Sequence, residues 1–301
     1  MKFKLIIILF IISISQAFGC DVCGCGNGAS FFGILPQSHF RFGGVRFTSK
    51  NFESHISSKN LKATEHFQTI EPWIRLYPLP KTQLIVTTPY HFNSQTLLYD
   101  MSKKSISGIG DVNALMHYNI LNTFFDSTAH TFDHVLLLGG GIKLPTGAYD
   151  YSQDASTVSN ANFQKGTGSV DYVLNAIYTI RKGTNGLNLD LYYKINGENK
   201  NKFRFGNKSR ILASAFKQIT IKDLSFMPNL GALAENSKSD FKNKEAISLS
   251  GGYTLNGVLG SEVYYKRIVA GVNYQVPISQ KLSDGELKLK NTFSGHLTFL
   301  F

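Results

Sequence analysis

The feature that most constrains this chain is a repeated alternation of apolar and polar residues with a period of two. Residues 187–196 show it most clearly, because every second residue from Leu187 to Ile195 is apolar or aromatic and most of those between are polar. A β-strand places successive side chains on opposite faces, whereas an amphipathic helix needs apolar residues three and four positions apart. The helical spacing is almost nowhere present, so the pattern predicts an all-β protein.

The same alternation recurs along the chain and predicts about 12 strands, each near the length that a tilted strand needs to cross a bilayer. The predicted strands are 39–48, 63–77, 82–92, 111–120, 133–144, 170–181, 187–196, 203–219, 224–235, 244–256, 263–277 and 287–301.

The connections between these strands alternate in length. Short ones such as 78–81, 220–223 and a turn at Gly257 follow longer ones such as 93–108 and 145–168. A soluble sandwich would also alternate apolar and polar residues, but short turns on one side and longer loops on the other are typical of outer-membrane barrels. The connections therefore favour an antiparallel, up-and-down transmembrane barrel over residues 36–301.

The last predicted strand carries a more specific signal. Apolar residues or glycine occupy every second position from Phe293 to the final residue, Phe301. This resembles the carboxy-terminal sorting signal of bacterial outer-membrane barrels. The expected location is therefore the outer membrane of a Gram-negative bacterium, and the expected partners are its lipid and the barrel-assembly machinery.

The amino terminus predicts export through the inner membrane. Residues 1–19 combine two early lysines, an apolar core at 5–12 and a small-residue cleavage site at 17–19, which is the pattern of a secretory signal peptide. Cleavage before Cys20 suits ordinary signal peptidase and also leaves a cysteine at the new terminus, as lipoprotein processing does. Both routes remain open.

Residues 20–35 form a short Cys/Gly-rich lead-in, expected in the periplasm. It holds all three cysteines of the chain, Cys20, Cys23 and Cys25, in a C-x2-C-x-C arrangement. Three thiolates could bind one soft ion such as Cu(I) or Zn(II), although a fourth ligand is absent nearby. In an oxidising compartment two of the thiols could instead form a disulfide. No other cofactor is predicted.

Charge and motifs exclude several other functions. Lys+Arg 31 against Asp+Glu 20 gives a net charge of +11, but the basic residues are scattered and match no nucleic-acid motif, so nucleic acid is not an expected partner. The glycines at 139–141 precede Lys143 without the spacing of a phosphate-binding loop. His117 and His296 have no nucleophile motif near Ser261 or Ser294, so no enzyme activity is predicted.

Three glycine-containing motifs resemble those of a known family. They are Gly-Ile-Gly-Asp at 108–111, Gly-Ile-Lys-Leu-Pro-Thr-Gly at 141–147 and Gly-Thr-Gly-Ser-Val-Asp-Tyr at 166–172. Together with Met227-Pro228 and the segment at 276–279, they resemble the outer-membrane transporter family associated with the meta-cleavage pathway of phenol degradation, over most of residues 70–301. The resemblance implies a barrel that moves small solutes, hydrophobic or aromatic ones among them, across the outer membrane.

The polar faces of the predicted strands must point into the barrel, where they either surround a channel or fill a closed core. The residues predicted to line a solute path are Asn113, His117, Asp171, Asn175, Asp190, Lys194, Asn273 and Gln275. Their mixed charges predict weak ion selectivity. The sequence thus predicts a passive channel for small solutes. The alternative is a structural barrel whose cysteine cluster handles a soft metal or serves redox chemistry.

Overall fold

The computed structural model describes residues 41–124, 130–149 and 163–301, and these are almost entirely β-sheet. Twelve antiparallel strands close into a barrel. Closure occurs where β1 (Phe42–Ser54) pairs with both β2 (Ala63–Leu76) and the last strand, β18 (Leu287–Leu300). The predicted all-β barrel is confirmed, whereas the predicted signal peptide (1–19) and lead-in (20–35) lie outside the described residues.

Three of the twelve barrel strands are interrupted and consist of two segments each. These are β3 (Thr82–Thr87) with β4 (Tyr90–Leu97), β5 (Lys103–Ile109) with β6 (Val112–Asn122), and β11 (Lys208–Lys217) with β12 (Ile219–Ile221). Besides β1, β2 and β18, the uninterrupted barrel strands are β7 (Asp133–Leu144), β8 (Asp171–Lys182), β9 (Asn185–Ile195), β13 (Leu224–Ser237), β16 (Gly252–Tyr265) and β17 (Ile268–Leu282). A separate small sheet contains β10 (Phe203–Arg204), β14 (Phe241–Lys242) and β15 (Glu245–Ala246).

The two ends of the barrel differ, as the connection lengths predict. At the short-turn end, where β1 begins and β18 ends, the connections are 77–81, 123–132, 183–184, 222–223 and 266–267. The long-loop end carries the remaining connections, among them 145–170 and those that hold the small sheet. Among the described residues, no helix is long and apolar enough to span a bilayer.

Several predicted strand boundaries are wrong. The predicted long connection 93–108 is only 98–102, because β4 continues to Leu97 and β5 begins at Lys103, and the strand predicted at 244–256 lies instead at Gly252–Tyr265. Gly257 does not form a turn but lies inside β16, paired with Ala232 and Val276. The turn lies instead at 266–267, where Lys266 adopts a φ of 52°. A strand interior tolerates glycine at a modest cost, so a lone glycine is a weak turn signal. The first strand continues past its predicted end at residue 48 to Ser54.

The alternation on each strand separates an apolar outer face from a buried inner one. On β9, the outward-facing Leu187 and Leu191 are 58% and 41% exposed. Asp190 and Lys194, which face inward on the same strand, are 2% and 1% exposed. Apolar side chains that would be costly to expose to water suit the hydrocarbon core of a membrane. The barrel therefore has the outer surface of a membrane-spanning protein and a largely polar interior.

The interior is layered along the barrel axis. Apolar side chains line the short-turn end, where Phe42, Trp73, Ile85, Val269 and Leu300 pack together. Phe216 and Met227 form a second apolar cluster, and Tyr264 contacts both clusters. Charged and amide side chains occupy the middle of the barrel.

At the long-loop end, hydrogen bonds join the connection between β1 and β2 to the connection between β17 and β18. Ser57 donates its backbone N–H to Glu286 at 3.1 Å and its hydroxyl to the same carboxylate. These bonds lower the pKa of Glu286. Burial lowers the pKa of His55, which follows the last residue of β1, while the nearby charge of Glu286 opposes that shift.

Candidate functional site

A cluster of buried ionic side chains lies on one side of the barrel interior. We call Asp111, Lys143, Thr167, Asp171 and Lys194 the anchor cluster. The ammonium of Lys143 lies 2.7 Å from the Asp111 carboxylate and 3.0 Å from that of Asp171. It also donates to the Thr167 hydroxyl and to the backbone carbonyl of Ser169. Lys194 lies 3.3 Å from Asp171, so that each carboxylate contacts at least one ammonium.

The anchor cluster holds both ends of the long connection between β7 and β8. Asp111 accepts hydrogen bonds from the backbone N–H of Gly147 at 3.0 Å and from that of Thr167 at 2.9 Å. Gly147 follows β7 and Thr167 precedes β8. The three motifs of the family resemblance therefore meet at one place, since each contributes a residue to these contacts.

Two motif glycines are required by close backbone contact within the same connection. Gly166 donates its N–H to the carbonyl of Ala148 at 3.1 Å. A Cβ atom on Gly147 would lie 2.9 Å from the Cα of Gly166, and one on Gly166 would lie 2.6 Å from the Gly147 carbonyl oxygen. Any larger residue at either position would push the two ends of the connection apart.

The anchor cluster is balanced in charge. Its two carboxylates face two ammonium groups, and these four side chains are at most 2% exposed. A buried charge is tolerated only when it is paired and hydrogen-bonded, because removal of one partner leaves the other as an uncompensated buried charge that destabilises the fold. The arrangement suits a fixed anchor for the β7–β8 connection.

Most of the polar residues predicted to line a solute path belong to the same side of the barrel. His117 Nε2 lies 2.6 Å from the Asn175 side-chain oxygen, and Asn175 donates to Asp190 at 2.7 Å. The predicted residues on this side, carried by β6, β8 and β9, are Asn113, His117, Asp171, Asn175, Asp190 and Lys194. The remaining two, Asn273 and Gln275, lie on β17. Whether a solute contacts any of them remains a prediction.

A short segment, 163–169, extends from the anchor cluster across the long-loop end of the interior. Its first residue, Phe163, packs against Phe67 on β2, with ring centroids 6.2 Å apart. The other members of this buried cluster come from β1, β17 and β18 and are Phe52, Leu282 and Leu289. Because β8 starts on the opposite side of the barrel from these strands, the segment narrows the interior at this end.

A cavity of about 50 Å³ lies in the half of the interior away from the anchor cluster. It is lined from β1, β11, β13, β17 and β18 by Arg46, Thr48, Lys50, Arg210, Leu212, Leu233, Glu235, Gln275, Thr292 and Ser294. Gln275 is the one predicted solute-path residue among these. The lining combines guanidinium, ammonium and hydroxyl donors with two leucine side chains.

Small side chains leave space beside this cavity. Asn229, Gly260 and Asn273 lie side by side in the register of β13, β16 and β17. Because Gly260 has no side chain, the amide oxygens of Asn229 and Asn273 approach the space above it, and neither has a hydrogen-bond partner among the described residues. Buried polar atoms of this kind are normally bound by water. This side of the interior therefore has the polar groups expected along a wet path.

The cationic side chains of the cavity were missing from the sequence prediction. Lys50 lay beyond the predicted end of the first strand, which the structure extends to Ser54. Arg210 lay within the predicted strand 203–219, and the alternation there places it on the same face as the buried Leu212. That alternation was the available signal for Arg210. That it lines the same cavity as residues of β1 could not be read from the sequence.

The predicted metal-binding cysteines lie outside the described residues, and the described residues contain no alternative metal site. Within 41–124, 130–149 and 163–301, no three His, Cys, Asp or Glu side chains form a group suited to a metal ion. Cys20, Cys23 and Cys25 lie outside the described residues, so the soft-metal and disulfide hypotheses both remain predictions.

A family model described as "Putative MetA-pathway of phenol degradation" matches residues 80–276, which include all three convergent motifs. The chain belongs to this family. The resemblance inferred from the sequence is thereby confirmed. Among curated proteins, none matches this chain significantly.

A solved outer membrane channel has the same fold. The barrel superposes on the COG4313 outer membrane channel from Pseudomonas putida F1 with a TM-score of 0.62 and 13% identity, covering 87% of this chain and 95% of that one. The transport unit of the autotransporter AIDA-I from Escherichia coli gives a TM-score of 0.49 at 9% identity, covering 92% and 94% of the two chains. At 13% identity, the match to the COG4313 channel shows the shared fold alone.

Proposed function

We propose that this chain forms a channel in the bacterial outer membrane through which small solutes pass passively. The observation that carries the proposal is the polar cavity beside Asn229, Gly260 and Asn273 of β13, β16 and β17, inside a barrel whose outer face is apolar. Membership of the phenol-degradation family and the fold shared with an outer membrane channel support it. Export by the signal segment and insertion by the barrel-assembly machinery belong to the same proposal.

The proposed solutes are small, and include hydrophobic or aromatic molecules. The cavity is narrow, at about 50 Å³, and Leu212 and Leu233 give part of its wall an apolar surface. A transport function needs no catalytic group, and we assign none to the chain. The side chains of the cavity act by setting the width and polarity of the path.

Liposome swelling with small neutral solutes tests this proposal. Gln275→Trp places a bulky ring in the cavity wall, so we expect it to slow swelling. Tyr274→Trp is the matched control, because Tyr274 neighbours Gln275 on the same strand but is 44% exposed on the outer face. Heat-modifiable migration verifies that both variants fold. Equal swelling by the two folded variants, or no swelling by the unchanged protein, would contradict the proposed path.

A further inference from the structure

The cavity has the composition of a binding site for one class of solute. Three cations, Arg46, Lys50 and Arg210, contribute to its wall, against the single carboxylate of Glu235. We infer that this cavity binds the carboxylate of a small amphipathic monocarboxylate as the solute passes through the barrel. The inference rests on the proposed channel function and specifies its solute class.

Arg210 is the central residue of this proposed site. Its Nε and Nη2 atoms are buried and have no hydrogen-bond partner among the described residues. The guanidinium carbon lies 4.8 Å from the centroid of the Tyr192 ring, so the group is positioned by an aromatic face as well as by its strand. Unsatisfied buried donors require an acceptor, and a carboxylate matches the planar fork of a guanidinium.

The neighbouring carboxylates leave these donors available. Glu235 lies opposite Arg210 in the register of β11 and β13 but accepts no hydrogen bond from Nε or Nη2. Asp190, on the adjacent strand β9, interacts electrostatically with Arg210 but likewise accepts no hydrogen bond from Nε or Nη2. On the far wall, the Arg46 guanidinium already donates to Glu71. Of the two guanidinium groups at the cavity, Arg210 therefore has donor atoms that bind no acceptor among the described residues.

The rest of the cavity wall fits the remainder of such a solute. Hydroxyl groups of Thr48, Thr292 and Ser294 can donate to a second carboxylate oxygen or to water. Leu212 and Leu233 are 3% and 5% exposed and pack with each other in a buried apolar cluster. They give the site an apolar surface beside its cations. An anion with a short apolar body matches both parts of the wall, whereas a sugar or a cation does not.

Butyrate and butyramide provide a matched pair of probes, since they have similar size and differ in charge. In planar bilayers, we expect butyrate to reduce the KCl conductance in a saturable manner and butyramide to have little effect at equal concentration. Arg210→Gln should weaken the effect of butyrate about tenfold or more, because it removes charge-assisted hydrogen bonds. Arg210→Lys should retain part of it, since the charge remains and the fork is lost.

Arg204→Gln is the control variant, because it removes an arginine from the small sheet outside the barrel wall and should bind butyrate as the unchanged protein does. A second readout is independent of conductance: butyrate, but not butyramide, should raise the unfolding temperature of the barrel in detergent. Equal effects of the two probes, or of the Arg210 and Arg204 variants, would overturn the inference while leaving the channel intact. If neutral solutes caused swelling but butyrate did not bind, the inferred anion site would be wrong and the proposed channel function would stand. If butyrate bound but no solute or ion passed, the proposed channel function would be wrong.

Discussion

At the scale of single residues, the anchor cluster explains why three separate motifs occur in this chain. Asp111 receives backbone N–H groups from both ends of the β7–β8 connection, and Lys143 joins Asp111 to Asp171. None of these side chains lies at the cavity. The three motifs thus position a connection, while the residues proposed to bind solute come from β1, β11, β13, β17 and β18.

Lys143→Met tests the anchor cluster at this scale. The substitution keeps the length of the side chain but leaves Asp111 without its ammonium partner in a site that is fully buried. We expect a loss of about 3–5 kcal/mol in the free energy of unfolding, measured by urea titration of the refolded barrel. Lys217→Met is the control, because Lys217 is exposed at the end of β11, and it should change stability by less than about 0.5 kcal/mol.

Adding Asp111→Asn to the Lys143→Met variant restores the balance of charge, because the Asp171–Lys194 pair remains. This double variant should recover part of the lost stability. If the single and double variants were equally unstable, the loss would come from packing around residue 143, and the ionic account of the cluster would be wrong.

At the scale of strands and connections, periodicity predicted well what local patterns determine. The alternation on 170–181 and 187–196 gave both the strands and their buried faces, since one face must meet lipid and the other the interior. It failed at Gly257, where a lone glycine in a strand resembles a turn. It also gave no information about segment 163–169, whose position depends on contacts with β1, β2, β17 and β18 that are distant in sequence.

Phe163→Ala tests the role of this segment. Phe163 packs with Phe52, Phe67, Leu282 and Leu289, so its removal should loosen the segment from the opposite wall. The barrel wall itself is unchanged, and we expect faster liposome swelling and higher conductance from a normally folded protein. Phe132→Ala is the control, because Phe132 is exposed at the short-turn end. If Phe163→Ala left both flux measurements unchanged, the segment would not limit the path.

At the scale of the whole molecule, the interior is divided between a packed side and a side that contains the cavity. Six of the eight residues predicted from the sequence to line a path lie on the packed side, because alternation shows which side chains face inward but not which of them bind one another. The anchor cluster and the His117–Asn175–Asp190 hydrogen bonds depend on pairing between strands. The position of the cavity follows from what those contacts leave unfilled.

This division also determines the expected ion selectivity. The anchor cluster carries two positive and two negative charges, and Arg46 is paired with Glu71, so charges of both signs occur along the interior. Strong selection among ions usually needs rings of a single sign. A carboxylate site at Arg210 is compatible with this balance, since it involves a few side chains at one level of the barrel rather than the whole path.

We therefore expect a reversal potential close to zero when the protein separates two KCl solutions of different concentration in a planar bilayer. Swelling with neutral solutes of graded size should accompany it, with the rate falling as the solute grows, because width rather than charge then limits passage. A steep preference for either ion would show that one sign of charge dominates the path. Impermeability to ions and to every neutral solute would mean that the interior is closed, and the barrel would then serve as a scaffold for its loops.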